Sequence, residues 1–332
     1  MTITLHRRQF AALGATALVQ PLMQPTASAA TGWRLATGYR AESFHTVNLM
    51  AMAAEIDATT SGALRIAIHP NNTMVKLANM RAAVQAGSVE AGETIMSSMA
   101  SEMPIAGADS VPFITASYAD ARRMWRWQRP LIERHFAKSG LVVLYAVPWP
   151  PQGLHATRPI NEVTDLVGRR MRSYNPTTAR IATLVGATPV DVSMVDVSQA
   201  LAAGRIDSMI TSAVTGVENQ VWSHLRYYYE IDAWFPKNIV FANMKAMQAL
   251  PPAARGALMA GAATAEARGW AASEAAARAS VDELRRNGMK VERVPRQVSV
   301  ELKRLGERFS LEWVRHVGAE ANDFFIPHFT QS

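Results

Sequence analysis

Cysteine is absent from all 332 residues, which excludes disulfides, thiolate metal ligands and a cysteine nucleophile together. Histidine is scarce and widely dispersed, and no His-Glu-x-x-His pair places two imidazoles one helical turn apart for zinc. A Gly-x-Ser-x-Gly elbow and a phosphate-cradling Gly-x-x-x-x-Gly-Lys are also missing. A hydrolase would therefore need a serine, histidine and aspartate triad assembled only in space. Charge is modest, 18% of residues against 49% hydrophobic, a balance that suits a folded chain of roughly two domains. The formal charge is +7. Its arginines are scattered and no aromatic-basic motif interleaves them, so the surplus reads as a mild attraction for anions and not as a nucleic-acid surface.

Long apolar runs are missing too. Beyond the first thirty residues no stretch approaches about 18 uninterrupted apolar positions, so a soluble mature protein is expected. Residues 1–29 are a different material: Arg7-Arg8, an apolar run from Phe10 to Leu22, then Ala27-Ser28-Ala29. That order of basic, apolar and small residues is the order of an export signal, with cleavage after Ala29. Arg7-Arg8-Gln9-Phe10 resembles a twin-arginine signal. Removing it takes away two arginines and no acid, and the charge falls from +7 to +5.

The remainder alternates strand and helix. Residues 33–39 form a short strand ending at Gly38, and a helix opens after Ser43 and stops at Thr60-Ser-Gly62. Leu64, Ile66 and Ile68 alternate as a strand; Leu77, Met80 and Val84 mark a helix ended by Gly87; Val89 to Met96 is a strand. This pattern predicts an α/β fold with a largely parallel sheet. Ligands gather beyond the carboxyl ends of such strands, which singles out Tyr39, Phe44, His45, Glu93 and Thr94. A helical run over 118–138 should be split by Pro130. Leu141 to Val147 is a buried strand leading into Pro148-Trp-Pro-Pro-Gln-Gly153, a stiff crossover between domains and a natural cleft wall.

A second α/β unit follows. Within Asp165-Leu-Val-Gly-Arg-Arg-Met-Arg172, a loop and short strand deliver Arg172 near the strand's carboxyl end, and Asn175-Pro176 opens a fresh helix beside it. A guanidinium so placed is well suited to fork a carboxylate, with the helix end adding partial positive charge. Arg169 and Arg170 read as solvated. Further on come a helix to Val185, a strand Pro189 to Val192, a helix Asp196 to Ala203 and a strand Ile206 to Thr211, which leaves the hydroxyls of Thr211 and Ser212 at a strand end. Trp234-Phe-Pro-Lys-Asn238 precedes the strand Ile239 to Asn243. Residues 252–287 hold no internal proline after Pro252 and could make a helix of about 50 Å, long enough to bridge two domains. A last helix covers 298–318, and the tail from Phe324 to Phe329 docks by its aromatics.

The sequence resembles a known family in the order His69-Pro-Asn, Ala83-Val-Gln-Ala-Gly87, Gly168-Arg-Arg-Met-Arg172, Gly186-Ala-Thr-Pro189 and Gln199-Ala-Leu-Ala-Ala-Gly-Arg-Ile-Asp207, followed by the long late helix. These are features of the periplasmic solute-binding proteins of TRAP transporters, and the similarity runs from about residue 32 to 320. It implies a two-lobed, cleft-closing α/β fold with crossover strands and a long helix spanning both lobes: residues 30–150 and 238–277 in one lobe, 151–237 and 278–332 in the other. It implies a periplasmic protein that delivers an organic acid to a membrane permease. No enzymatic activity and no cofactor are expected, and a monomer is expected because nothing in the sequence suggests an obligate dimer. Whether a metal assists binding lies beyond the sequence. A ligand-presenting sensor of the same fold is the alternative.

By position in that family, Arg172 matches the arginine that holds the ligand carboxylate, and Thr211 stands where many members carry an asparagine. Gln152 lies close to where sialic acid binding members have a second arginine, which weakens a dicarboxylate ligand, since glutamine carries no charge. Lys76, Lys237 or His45 are left as substitutes. Trp149, Trp234, Phe235, Tyr174 and Phe44 suggest a hydroxy, keto or aromatic monocarboxylate. Some of these residues have two readings. Glu93 accepts from a ligand or pairs with a lysine, His45 bonds a helix start or a ligand, and Lys237 and Asn238 line the cleft or cap a strand.

Overall fold

The computed structural model describes Met1 and residues 30–330. The export-signal expectation lies, Met1 aside, outside the described residues. The chain begins with β1 (Thr31–Thr37), α1 (Phe44–Thr59), β2 (Leu64–His69), α2 (Met80–Gln85), β3 (Ala91–Ile95), α3 (Tyr118–Lys138) and β4 (Leu141–Pro148). It continues through β5 (Gly153–Ala156), β6 (Arg170–Ser173), α4 (Pro176–Leu184), β7 (Thr188–Asp191), α5 (Val197–Ala202), β8 (Ser208–Thr211), α6 (Ala213–Glu218) and β9 (Tyr227–Tyr229). Last come β10 (Lys237–Asn243), α7 (Met244–Ala249), α8 (Pro252–Arg286), β11 (Lys290–Glu292), α9 (Arg296–Val317) and α10 (Glu320–Thr330).

Two sheets result, in the orders β2-β1-β3-β10-β4 and β11-β9-β5-β8-β6-β7. In the first, only β10 runs against its neighbours β3 and β4. In the second, only β5 runs against β8 and β9. Each reversed strand follows a strand of the other sheet with no helix between them. The largely parallel sheet expected from the sequence is therefore present twice, with one crossover strand inserted into each. The parallel pairs need long return connections, which α1 supplies between β1 and β2 and α4 between β6 and β7.

The two crossing segments lie side by side. Trp149 N donates to Pro236 O at 2.7 Å, Gln152 N to Trp234 O at 3.0 Å, and Ala233 N to Gln152 O at 2.9 Å. Prolines 148, 150, 151 and 236 have no N–H to give, so the segment's pairing is confined to these few bonds.

Local signals explain most boundaries. Asn175 caps α4, accepting from Thr178 N at 2.8 Å, with Pro176 at the first helical position. Gly87 takes φ +75° just past α2, a left-handed conformation that glycine adopts without a Cβ clash. Elsewhere tertiary packing prevails. Pro130 does not split α3, which runs unbroken from Tyr118 to Lys138. Ala121, Met124 and Trp125 before the proline and Leu131, Ile132 and Phe136 after it are buried on one face. Their burial outweighs the roughly 3 kcal/mol a mid-helix proline costs.

The long helix is present as α8, 35 residues and hence about 52 Å. It packs on α1 and β4 beside the first sheet and on α6 and β11 beside the second. The C-terminal region departs from expectation. After α9 the tail forms another helix, α10, docked through buried Phe324 against Trp313, while Phe329 stays 64% exposed. α10 packs on α3 and α9.

At the middle of α8, Gly269 lies against β4. An added Cβ would overlap Val147 Cγ2 and come within 2.9 Å of Asn48 Nδ2, a nitrogen already committed to Ala265 O at 2.9 Å. Gly269→Ala should therefore destabilise the protein by about 1–2 kcal/mol: overpacking costs about 1–3 kcal/mol and the helix-propensity gain offsets up to about 1. Thermal melting checks this, and an unchanged or raised Tm would contradict the close approach.

Candidate functional site

The carboxyl ends of β6, β7 and β8 open onto a cavity of about 220 Å³ between the two sheets. Its second-sheet side carries Gln152, Arg172, Tyr174, Asp191, Thr211 and Ser212. Its first-sheet side is more apolar, with Tyr39, Leu77, Ile95 and Trp149.

Arg172 sits on β6 between Val190 of β7 and Met209 of β8 and is 3% exposed. Its Nε donates to Val192 O at 2.9 Å, and its guanidinium lies 4.8 Å from the centre of the Tyr174 ring. No carboxylate forms an ion pair with it among the described residues. Burial pulls its pKa down to about 10, with Tyr174 and then Asp191 acting in the opposite sense, so it remains a cation. The terminal nitrogens find no protein acceptor among the described residues, although the side chain is almost fully withdrawn from solvent.

Gln152, 2% exposed, donates from Nε2 to Pro150 O at 2.8 Å and accepts from Tyr174 OH at 3.2 Å. Its amide orients the phenol that stacks on Arg172. Ser212 caps α6, its Oγ accepting from Thr215 N at 3.3 Å. Thr211 is buried at the end of β8 with a hydroxyl that no described residue engages.

The expected residues of the first-sheet side divide. Trp149 and Tyr39 line the cavity. Glu93, His45 and Asn238 do not; they stand behind that wall. Asn238 Oδ1 accepts from Trp149 Nε1 at 2.8 Å and from Tyr39 OH at 3.0 Å, and its Nδ2 donates to Glu93 Oε1 at 3.1 Å. Thr37 Oγ1 donates to Glu93 Oε2 at 2.6 Å, and His45 Nδ1 lies 3.5 Å from Glu93 Oε1. Glu93 shares a strand face with Ile95 two residues on, and Ile95 at the strand end meets the cavity, which leaves Glu93 one layer deeper. Burial pushes the Glu93 carboxyl up to about 7 and holds His45 down at about 3.

Other expectations also fall away from the cavity. Phe44 packs edge-on behind Trp149, with ring centres 5.5 Å apart. Trp234 is a core residue whose carbonyl serves the strand crossing. Lys237 is fully buried on the opposite face from Asn238, its Nζ 3.6 Å from Asp109 Oδ2, so strand alternation gives it a structural partner. Lys76 is exposed, and Thr94 does not line the cavity but places its hydroxyl 3.3 Å from that of Ser98, which does. The aromatic wall thus shrinks to Tyr39, Trp149 and Tyr174.

The structure adds lining residues that sequence reasoning passed over: Leu77 and Ala78 before α2, Ser98, and Asp191, Ser193 and Met194 where β7 ends. Asp191 was within reach, because Pro189 to Val192 reads as a strand and ligands gather at carboxyl ends. The others lie on turns with no periodicity to mark them. Among the described residues no group of three or more His, Asp or Glu could hold a metal ion, and no helix is long and apolar enough to cross a membrane.

The family model described as bacterial extracellular solute-binding protein, family 7, matches residues 37–308. DctP7 of Bordetella pertussis, an extracytoplasmic solute receptor solved with pyroglutamic acid, is 37% identical with a TM-score of 0.89, covering 90% of this chain and 99% of its own. A marine metagenome TRAP solute binding protein specific for pyroglutamate is 34% identical with a TM-score of 0.88, covering 90% of this chain and 98% of its own. A solute-binding protein of Albidiferax ferrireducens is 23% identical over 166 residues, 49% of this chain, and the match spans about half of that relative's length, 48%. These relatives are two-lobed receptors and not enzymes. The chain belongs to the bacterial extracellular solute-binding proteins of family 7.

Proposed function

We propose that the protein captures a small carboxylate-bearing cyclic acid in the interlobe cavity, with pyroglutamic acid as the leading candidate, and delivers it to a TRAP-type permease outside the cytoplasm. The observation that carries this reading is Arg172, a buried cation at a strand's carboxyl end that forms no ion pair among the described residues. A ligand carboxylate supplies the missing partner. The cavity of about 220 Å³ is below the roughly 300–1,000 Å³ of drug-sized pockets, which favours a small acid over the bulky aromatic acid that Phe44 and Trp234 suggest in the sequence. The relatives solved with pyroglutamate support the same size class.

In this reading the protein works as a monomer, exported by residues 1–29. Residues 30–150 with 238–277 and residues 151–237 with 278–332 act as two lobes turning about the crossing segments and α8. The second lobe holds the carboxylate through Arg172 with Gln152, Tyr174, Thr211 and Ser212, and the first closes Tyr39 and Trp149 over the remainder. Closure is stabilised by contacts a ligand makes to both lobes at once. Asn238 and Glu93 serve as the brace that fixes Tyr39 and Trp149. The family of receptors leaves a sensor role without specific support.

Arg172→Ala should weaken pyroglutamate binding by about 2–4 kcal/mol, or roughly 30- to 1,000-fold, as loss of a desolvated charge partner does. Isothermal titration of protein stripped by unfolding and refolding measures it. Near-normal affinity would remove Arg172 from the carboxylate grip, and a parent protein that takes up no small acid would overturn the reading as a whole.

The brace carries a pH signature. A carboxyl whose folded pKa is about 7 against an ordinary 4.5 keeps its proton in the folded state while the unfolded chain loses it. Stability from this group therefore falls as pH rises from 4.5 to 7. Glu93→Gln stays neutral throughout, so its Tm relative to the parent should rise between pH 5 and pH 8. A gap that does not change with pH would show that Glu93 is already ionised at pH 5.

A further inference from the structure

The cavity's polar groups are mostly spoken for. Gln152 and Tyr174 bond each other, Ser212 caps α6, Ser98 Oγ donates to Ile95 O at 2.7 Å, and Ser193 Oγ donates to Asp196 Oδ2 at 2.6 Å. What remains open is the terminal guanidinium of Arg172, the hydroxyl of Thr211 and the carboxylate of Asp191.

Asp191 closes β7 opposite Ser173, one residue along from the pair Arg172 and Val190. It lines the cavity and makes no hydrogen bond or ion pair among the described residues. Two nearby aspartates are committed. Asp196 takes Ser193, and Asp207 takes Arg170 Nε at 3.2 Å and Arg170 N at 3.1 Å. Asp191 is also the one carboxylate whose field acts on the Arg172 guanidinium.

An ionised carboxylate can only accept hydrogen bonds. On the strand beside that of an anion-binding arginine, and exposed at the edge of the same cavity, it repels a second carboxylate on the ligand and rewards a donor there. We infer that Asp191 is a specificity-determining residue that accepts a hydrogen bond from an N–H of the ligand while Arg172 holds the ligand's carboxylate. The inference rests on the small-acid reading above and sharpens it. The preferred ligand carries one carboxylate and one nearby N–H, as a lactam acid or a cyclic secondary amino acid does, and dicarboxylates of similar size are rejected.

The test compares pyroglutamate with the lactone acid in which a ring oxygen replaces the N–H, and with proline, whose donor is a charged ammonium. Binding to the parent, Asp191→Ala and Asp191→Asn is measured by isothermal titration on stripped full-length mature protein. A hydrogen bond to a charged group contributes about 1.5–3 kcal/mol, so the parent should prefer pyroglutamate to the lactone by roughly 10- to 150-fold. Asp191→Ala should lose most of that preference by weakening pyroglutamate, with the lactone kept within about twofold. Asp191→Asn, which retains an acceptor oxygen, should fall between. If proline binds more tightly than pyroglutamate, the donor is an ammonium and the lactam is displaced as the natural class. Equal loss of pyroglutamate and lactone in Asp191→Ala, or a parent indifferent to the N–H, would overturn the role of Asp191 and leave the small-acid reading standing. A parent that binds none of the three acids refutes both together.

Discussion

Arg172 is a charge taken out of water with no ion-pair partner among the described residues, and the groups around it tolerate that charge. Withdrawing a guanidinium from solvent costs several kcal/mol. Here the carbonyl of Val192 and the face of Tyr174 return part of that, while Gln152 holds the tyrosine in place. The remainder is the binding energy available to an anion. A site with its counter-charge already supplied by the protein would be more stable empty and weaker as a receptor.

That arrangement depends on the strand exchange. Because β5 and β10 each enter the opposite sheet, residues 149–152 and 234–236 run together at the base of the cavity, and the same segments carry Trp149, Gln152 and Pro236 to its wall. Prolines leave the crossing few hydrogen bonds to break. The long helix α8 is a second tie, pinned near its middle where Asn48 bonds Ala265 O and Trp270 Nε1 donates to Ala146 O at 3.0 Å. Above the crossing the two sides meet through polar contacts. Asn175 Nδ2 donates to Ser97 Oγ at 2.6 Å, and Arg40 Nη1 to Glu218 O at 2.8 Å. These are modest bonds, of the order of 1 kcal/mol each, and suit surfaces that part and rejoin.

The first-sheet wall is rigid for another reason. A single amide, Asn238, accepts from both the tyrosine and the tryptophan that face the cavity and is itself held by Glu93. Phe44 and His45 pack the far side of Trp149, at ring distances of 5.5 and 4.4 Å. Residues that sequence reasoning offers as ligand contacts thus orient the wall that faces the cavity. Such buried polar networks restrict the side chains they join when every member is satisfied.

The sequence alone determined the strand and helix alternation, the capped start of α4, the long bridging helix, and the place of Arg172 at a strand's carboxyl end, because periodicity, capping and glycine or proline signals are local. It carried much less of β5, β9 and β11, which are three or four residues long and exist only through their sheet partners. Pro130 misled for the same reason: a local rule met a packed face on either side of the proline. Tertiary structure alone decided that Tyr39, Trp149 and Tyr174 meet the cavity while Glu93, His45, Asn238, Lys237, Phe44 and Trp234 do not. Strand alternation sends neighbours such as Lys237 and Asn238 to opposite faces, and how deep a residue lies along its strand depends on where the sheet ends, which no short stretch of chain records.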